Sequence, residues 1–160
     1  MSTFDEFFLE HEQRLIRLAW LLSLDREDAV DLAQETLTRA WRDWDTIASG
    51  VDANPAAWTN RVLVNLSSNR HRRRATRRRW KHLFDRPQVA ESPTTHRDLH
   101  RALAQLPQRQ RQAIVLRYWH DLDLAGCADV MGVSVGSVKT HLSRAHSSLR
   151  ADPHQLLEES

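Results

Sequence analysis

Residues 121–150, DLDLAGCADVMGVSVGSVKTHLSRAHSSLR, decide the fold. They read as two short helices joined by a tight turn at Met131-Gly132-Val133-Ser134. Gly132 supplies the backbone freedom a turn between helices needs, and Ser134 is a good N-cap for the second helix. On that second helix Val138, Leu142, Ala145 and Leu149 recur at three- and four-residue spacing and form one buried stripe. Leu124, Cys127, Ala128 and Met131 do the same on the first. The opposite face of the second helix presents Ser137, Lys139, Thr140, His141, Ser143 and Arg144, all donors with no acid among them. A helix-turn-helix offering such a row is suited to the major groove, where early residues reach base edges and flanking ones reach phosphates.

The rest of the chain says what kind of DNA reader this is. With 160 residues, five prolines and four glycines, it has room for one domain or two small ones and a composition that favours helices. A single cysteine, Cys127, on an apolar helix face excludes a disulfide framework and reads as a small buried hydrophobe. No apolar run approaches a membrane span, and the first residues do not resemble a signal peptide, so a cytoplasmic protein is expected. The net charge of +2 hides a segregation. Residues 1–60 hold twelve acids and five bases, residues 61–82 nine bases and no acid, and residues 83–160 nine of each. Solubility alone calls for interspersed charge; an acidic front and a basic block imply two different partners.

In chain order, Phe4, Phe7, Phe8, His11, Leu15, Leu18 and Leu22 fall on one side of a first helix, capped by Thr3 or Ser2. A second helix spans Arg26 to Asp43, with Val30, Ala33, Leu37, Ala40 or Trp41, and Trp44 inward, and Asp28, Asp31, Gln34 and Glu35 outward. The aromatic spacing places both Trp41 and Trp44 in the core. Residues 45–54 read as a loop, and Pro55 opens a long third helix reaching about Trp80. Its first half is apolar; its second, from Arg70 to Lys81, repels itself and needs an anionic partner such as phosphate. Pro87 and Pro93 mark a linker. After it come a short helix over 98–105, another from Pro107 to Trp119 with Ile114 and Leu116 inward, and the helix-turn-helix. The expected fold is all-α: two small helical domains, 1–84 and 97–150, joined by a flexible linker at 85–96 and followed by a frayed tail at 151–160.

This order of parts resembles the small two-domain, extracytoplasmic-function (ECF) group of bacterial sigma factors in the sigma-70 family. Asp25-Arg26-Glu27-Asp28-Ala29-Val30-Asp31-Leu32-Ala33-Gln34-Glu35-Thr36 followed by Arg39-Ala40-Trp41 resembles that family's region 2 signature. Pro55-Ala56-Ala57-Trp58 with Asn65 and the arginine cluster resembles the next segment. Leu106-Pro107-Gln108-Arg109-Gln110-Arg111 fits L-P-x-x-x-R, and residues 132–140 resemble region 4.

The resemblance implies the roles. Asp28, Asp31, Gln34 and Glu35 would dock on the β′ clamp helices of core RNA polymerase, with the β flap as a second contact. Trp58, Arg61, Asn65 and Asn69, with the loop before them, would meet the −10 element, where an unstacked base can be captured. Arg70, Arg72, Arg73 and Arg74 would hold the flanking duplex. Ser137, Lys139, Thr140, His141 and Arg144 would read the −35 element. An anti-sigma factor would be a regulating partner. The task is positioning, with no enzymatic activity and no cofactor; His96 and His100 lack the further ligands a metal needs.

Ala125 and Gly126 stand where the family commonly has acids, Asn69 where Asp is frequent, and His141 where Arg is. These departures bear on promoter preference. Ser137 to Leu142 also resembles the recognition helix of LuxR-type activators, the alternative reading. A receiver domain with alternating strands and helices would mark a response regulator of that kind, and the first half has no such pattern.

Overall fold

The computed structural model describes residues 2–81 and 94–150. Every regular element among them is an α-helix: α1 Phe4–Ser23, α2 Arg26–Arg42, α3 Trp44–Ile47, α4 Pro55–Lys81, α5 Thr94–Gln105, α6 Gln108–Tyr118, α7 Leu124–Met131 and α8 Val135–Arg150. Most of the expected linker and the whole tail lie outside the described residues, as do the side chains of 75–81 and 94–96.

Local chemistry sets the helix starts. Thr3 Oγ1 accepts from the Glu6 amide at 3.3 Å while Glu6 Oε2 accepts from the Thr3 amide at 2.9 Å, a reciprocal cap on α1. Asp25 caps α2 at 3.0 Å, Asn54 caps α4 at 3.0 Å, and Asp123 caps α7 at 2.7 Å. Each cap satisfies an amide with no partner inside its helix and is worth about 1 kcal/mol. Gly132 ends α7 at φ 67°, a left-handed conformation that strains any residue with a Cβ, and Ser134 Oγ then accepts from the Ser137 amide at 3.1 Å to start α8. Gly126, which departs from the common family pattern, sits where an added Cβ would lie 3.1 Å from the capping Asp123 Oδ1.

Three expectations need correction. Trp41 is 65% exposed and Val30 38% exposed, although the spacing puts both on the inner face of α2. The buried line of α2 is Ala29, Leu32, Ala33, Thr36, Leu37 and Ala40. Its small residues let α1 and α4 approach closely, and Val30 and Trp41 each stand one residue, about 100°, past a buried alanine. Trp44 is half-buried, with its ring 5.5 Å from Phe4 and 5.1 Å from Phe7. That anchorage holds α3 as a helical turn where a loop was expected, closed by the Ala48 amide on Trp44 O at 2.8 Å. Finally, α5 begins at Thr94, four residues ahead of the expected start.

The two halves, α1–α4 and α5–α8, pack against each other, and their buried apolar residues form one continuous cluster. At the centre lies α6, with Arg111, Gln112, Ala113, Ile114, Val115 and Leu116 all buried. Six consecutive buried residues exceed a full turn, so this helix is enclosed on every side.

Candidate nucleic-acid interface

The buried stripe of α8 is Val138, Leu142, Ala145 and Leu149, as the spacing predicts. With that side fixed, Lys139, Thr140, Ser143 and Arg144 are exposed together on the outer face. His141 is half-buried, and burial followed by the nearby Arg109 and Arg144 guanidiniums lowers its pKa, favouring the neutral ring. Ser137 accepts from the Ser134 hydroxyl at 3.0 Å and so belongs to the turn that launches the helix. Thr140 Oγ1 donates back to Gly136 O at 3.1 Å, which leaves its oxygen able to accept from a ligand. Arg109 braces the turn from α6 by donating to Met131 O at 3.0 Å.

On α4, Trp58, Arg61, Asn65, Asn69 and Arg72 recur at spacings of three and four and lie on one face. Trp58 and Arg61 are half-buried; Asn65, Asn69, Arg72 and Arg73 are exposed. Arg72 Nη2 donates to Asn69 Oδ1 at 2.8 Å, so the two form one unit. Arg70 and Arg74 sit on a different side of the helix and turn towards α2. Arg70 Nη1 lies 3.5 Å from Asp28 Oδ1 and 4.0 Å from Asp31 Oδ2, and its Nη2 lies 3.8 Å from Glu35 Oε2. Arg74 pairs with the other oxygen of Asp28. Glu35 also holds Arg39 at 2.8 Å, and Gln34 is exposed beside this strip. The residues expected to face two partners are thus brought together in part.

Sequence reasoning missed the contacts at the seam between the halves. Arg61 Nη2 reaches Asp129 Oδ2 on α7 at 2.6 Å, Gln112 Nε2 donates to Ser68 Oγ at 2.8 Å, and Arg111 donates across to Leu22 O at 3.1 Å. His100 stacks on Trp20 with ring centroids 4.7 Å apart. Polar residues carry no periodicity signal for burial, so only the L-P-x-x-x-R motif could have flagged Arg111. Cys127 is fully buried, and burial pushes its thiol up to about 11, which makes it unreactive. Among the described residues no group of three or more His, Cys, Asp or Glu could hold a metal ion, and no helix is long and apolar enough to cross a membrane.

His120, 8% exposed, donates from Nε2 to Asn60 Oδ1 at 3.0 Å across the same seam. Burial, with repulsion from Arg14 next in size, lowers its imidazole from 6.5 to about 4. The unfolded chain therefore binds a proton that the folded chain refuses. This contribution to stability is complete above about pH 6.5, is lost as pH falls towards 4, and amounts to up to about 3 kcal/mol. Urea unfolding at pH 7.5, 6, 5 and 4 should show that decline, and His120→Gln should flatten it.

Comparison with known proteins identifies the family. Residues 7–78 match the family model for sigma-70 region 2, and residues 96–149 match that for sigma-70 region 4. The chain is 32% identical over 152 residues to the RNA polymerase sigma-E factor of Streptomyces avermitilis, covering 93% of this chain and 84% of the relative. It is 34% identical over 149 residues to the ECF RNA polymerase sigma factor SigM of Mycobacterium tuberculosis, covering 91% and 74%. Among solved structures it resembles the sigma factor RpoE of Bartonella quintana, in complex with the anti-sigma factor NepR. There the TM-score is 0.78 at 27% identity, over 92% of this chain and 94% of the other.

Proposed function

This chain belongs to the sigma-70 family, in its extracytoplasmic-function group, and we propose from that premise how its surfaces divide the work of a sigma factor. As such a factor it binds core RNA polymerase and directs promoter recognition and transcription initiation. The acidic strip of α2, with Asp28, Asp31, Gln34 and Glu35, docks on the β′ clamp helices, and the second half adds a contact to the β flap. The exposed Trp41 extends that face. It lies seven residues beyond Gln34 and is the kind of large, rigid side chain that anchors interfaces. The α4 face of Trp58, Arg61, Asn65 and Asn69 reads the −10 element, and Arg72 and Arg73 hold flanking phosphates. Lys139, Thr140, His141 and Arg144 on α8 contact the −35 element, Thr140 and His141 at base edges and Lys139 and Arg144 at phosphates, and Ser137 sets the start of that helix.

The observation that carries this division is the exposure, on separate helices, of a donor row without acids on α8 and of Asp31 and Gln34, with Glu35 partly exposed beside them, on α2. The protein does no chemistry: phosphate contacts set register, and a few base contacts choose the promoter. Its place of action is the cytoplasm, where polymerase and DNA are. The solved relative held by an anti-sigma factor supports a regulator of the same kind for this chain. The LuxR-type alternative has no support, since the first half matches sigma-70 region 2 over residues 7–78.

Run-off transcription with core polymerase and genomic promoter fragments tests the reading: transcripts must depend on this protein. DNA binding alone, without directed starts, would refute it. Within the −35 reader, Lys139→Ala and Arg144→Ala should each weaken binding to all promoters alike. Each should also reduce the slope of log K against log salt by about one, as loss of a phosphate contact requires. Thr140→Ala should instead change the ranking of promoters, read in the same salt titrations.

A further inference from the structure

Three acids assigned to polymerase and two arginines of the basic block are, in this fold, one another's partners. Asp28, Asp31 and Glu35 lie along α2, and Arg70 and Arg74, four residues apart on α4, lie across from them. Arg70 reaches all three carboxylates, and Asp28 receives both guanidiniums. The side chain of Asp28 is only 17% exposed, whereas Asp31 is 63% and Glu35 41% exposed. The strip therefore has an inner acid that gathers the arginines and outer acids open to a partner. Arg73 is exposed on another side of α4.

We propose a charge exchange: in the free protein Asp28, Asp31 and Glu35 hold Arg70 and Arg74, and a cationic polymerase surface that takes the acids hands the two arginines to promoter phosphates. This rests on the assignment of the acidic strip to polymerase. A guanidinium flanked by carboxylates offers little net charge to a phosphate, and a carboxylate so occupied offers little to a second cation. Each partner removes the other's competitor. Binding of polymerase and of duplex DNA is then linked, each raising the affinity of the other by the same factor. The pairs are partly exposed, and exposed pairs are weak, so they can be exchanged where a buried clamp could not.

The test uses the full chain, a fluorescent 30-base-pair duplex and anisotropy titrations across salt. Asp28→Asn/Asp31→Asn should bind duplex about fivefold more tightly, with a salt slope steeper by about one to two counterions. An equal charge change elsewhere, Asp5→Asn/Glu10→Gln, should give a markedly smaller gain. Adding Arg70→Gln/Arg74→Gln should erase the extra gain of the first pair, since it acts only through those arginines. A gain equal to the control's, or one that persists without the arginines, overturns the exchange. So does a Asp28→Asn/Asp31→Asn variant that melts earlier yet binds DNA as before, which would make the strip a static clamp. Core polymerase binding is measured alongside. Arg70→Gln/Arg74→Gln should bind core more tightly, and unchanged or weaker binding counts against the exchange. Failure of the docking assignment reads separately, as core binding that ignores charge reversal at Asp31 and Glu35.

Discussion

Reversing the charge at two exposed positions, in Asp31→Lys/Glu35→Lys, should abolish protein-dependent run-off transcripts while leaving the chain folded. Both side chains lie on the open side of α2, 63% and 41% exposed, so neither supports the core. The reversal removes one exposed pair with Arg39 and two long contacts to Arg70, interactions worth about 1 kcal/mol or less each. It also sets two lysines near Arg39 and Arg70, a repulsion that solvent screens. The melting temperature should therefore move by only a few degrees. At the polymerase the consequence differs in kind. A cationic docking surface that met two carboxylates would meet two ammonium groups, and juxtaposed like charges across an interface cost several kcal/mol. Core occupancy should fall roughly a hundredfold or more. Transcription with purified core, read beside a thermal melt of the same sample, separates the two effects. Undiminished transcripts from a folded variant would remove the acidic strip from the polymerase interface.

The second large effect is on stability, at Arg111. The residue is 8% exposed, and its guanidinium pairs with no carboxylate among the described residues; instead Nε donates to Leu103 O at 2.9 Å, Nη1 to Leu22 O at 3.1 Å and Nη2 to Leu106 O at 3.2 Å. Leu22 lies in the last turn of α1 and Leu103 in the last turn of α5, where carbonyls have no partner inside their helices. One cation thus satisfies the ends of two helices and sits at the negative end of both dipoles. Burial lowers its pKa, yet arginine keeps its proton in proteins. Arg111→Met fills much of the volume but takes the guanidinium from three carbonyls, of which Leu103 O keeps the Leu106 amide at 3.2 Å. Hydrogen bonds to a charged group are worth about 1.5–3 kcal/mol each, and part of the loss is recovered by water and relaxation. A total near 4 kcal/mol is expected, or about 8–16 °C in melting temperature for a chain of this size. Arg111→Lys should restore little, because a single ammonium cannot reach three acceptors arranged for a planar fork. Denaturant unfolding of the three proteins decides the matter; a loss below about 1 kcal/mol for Arg111→Met would mean the fork contributes little.

Features governed by local rules are legible in the amino-acid order alone. Helix starts were legible because the caps are short-range: Thr3, Asn54-Pro55 and Ser134 act within three residues of themselves. The face of α8 was legible because its apolar residues repeat at helical spacing, which fixes the outer donors by exclusion. Family membership followed from the order of such segments.

Helix packing settles which polar residues go inside and which aromatic goes out. Trp41 fits the apolar stripe of α2 as well as Ala40 does, and close approach of neighbouring helices selected the alanine. Arg111, Gln112, Asn60 and His120 are polar residues with no periodicity to mark them for burial, yet all four are buried at or beside the seam between the halves, each on a partner from far along the chain. The pairing of Arg70 and Arg74 with the α2 acids likewise joins residues about forty apart, from segments of opposite charge that the sequence presents as separate. Periodicity reports the side of a helix that meets apolar atoms. It is silent on which distant donor meets which acceptor, because that is set by how helices pack, and a buried polar group is stable only once its partner has been brought to it.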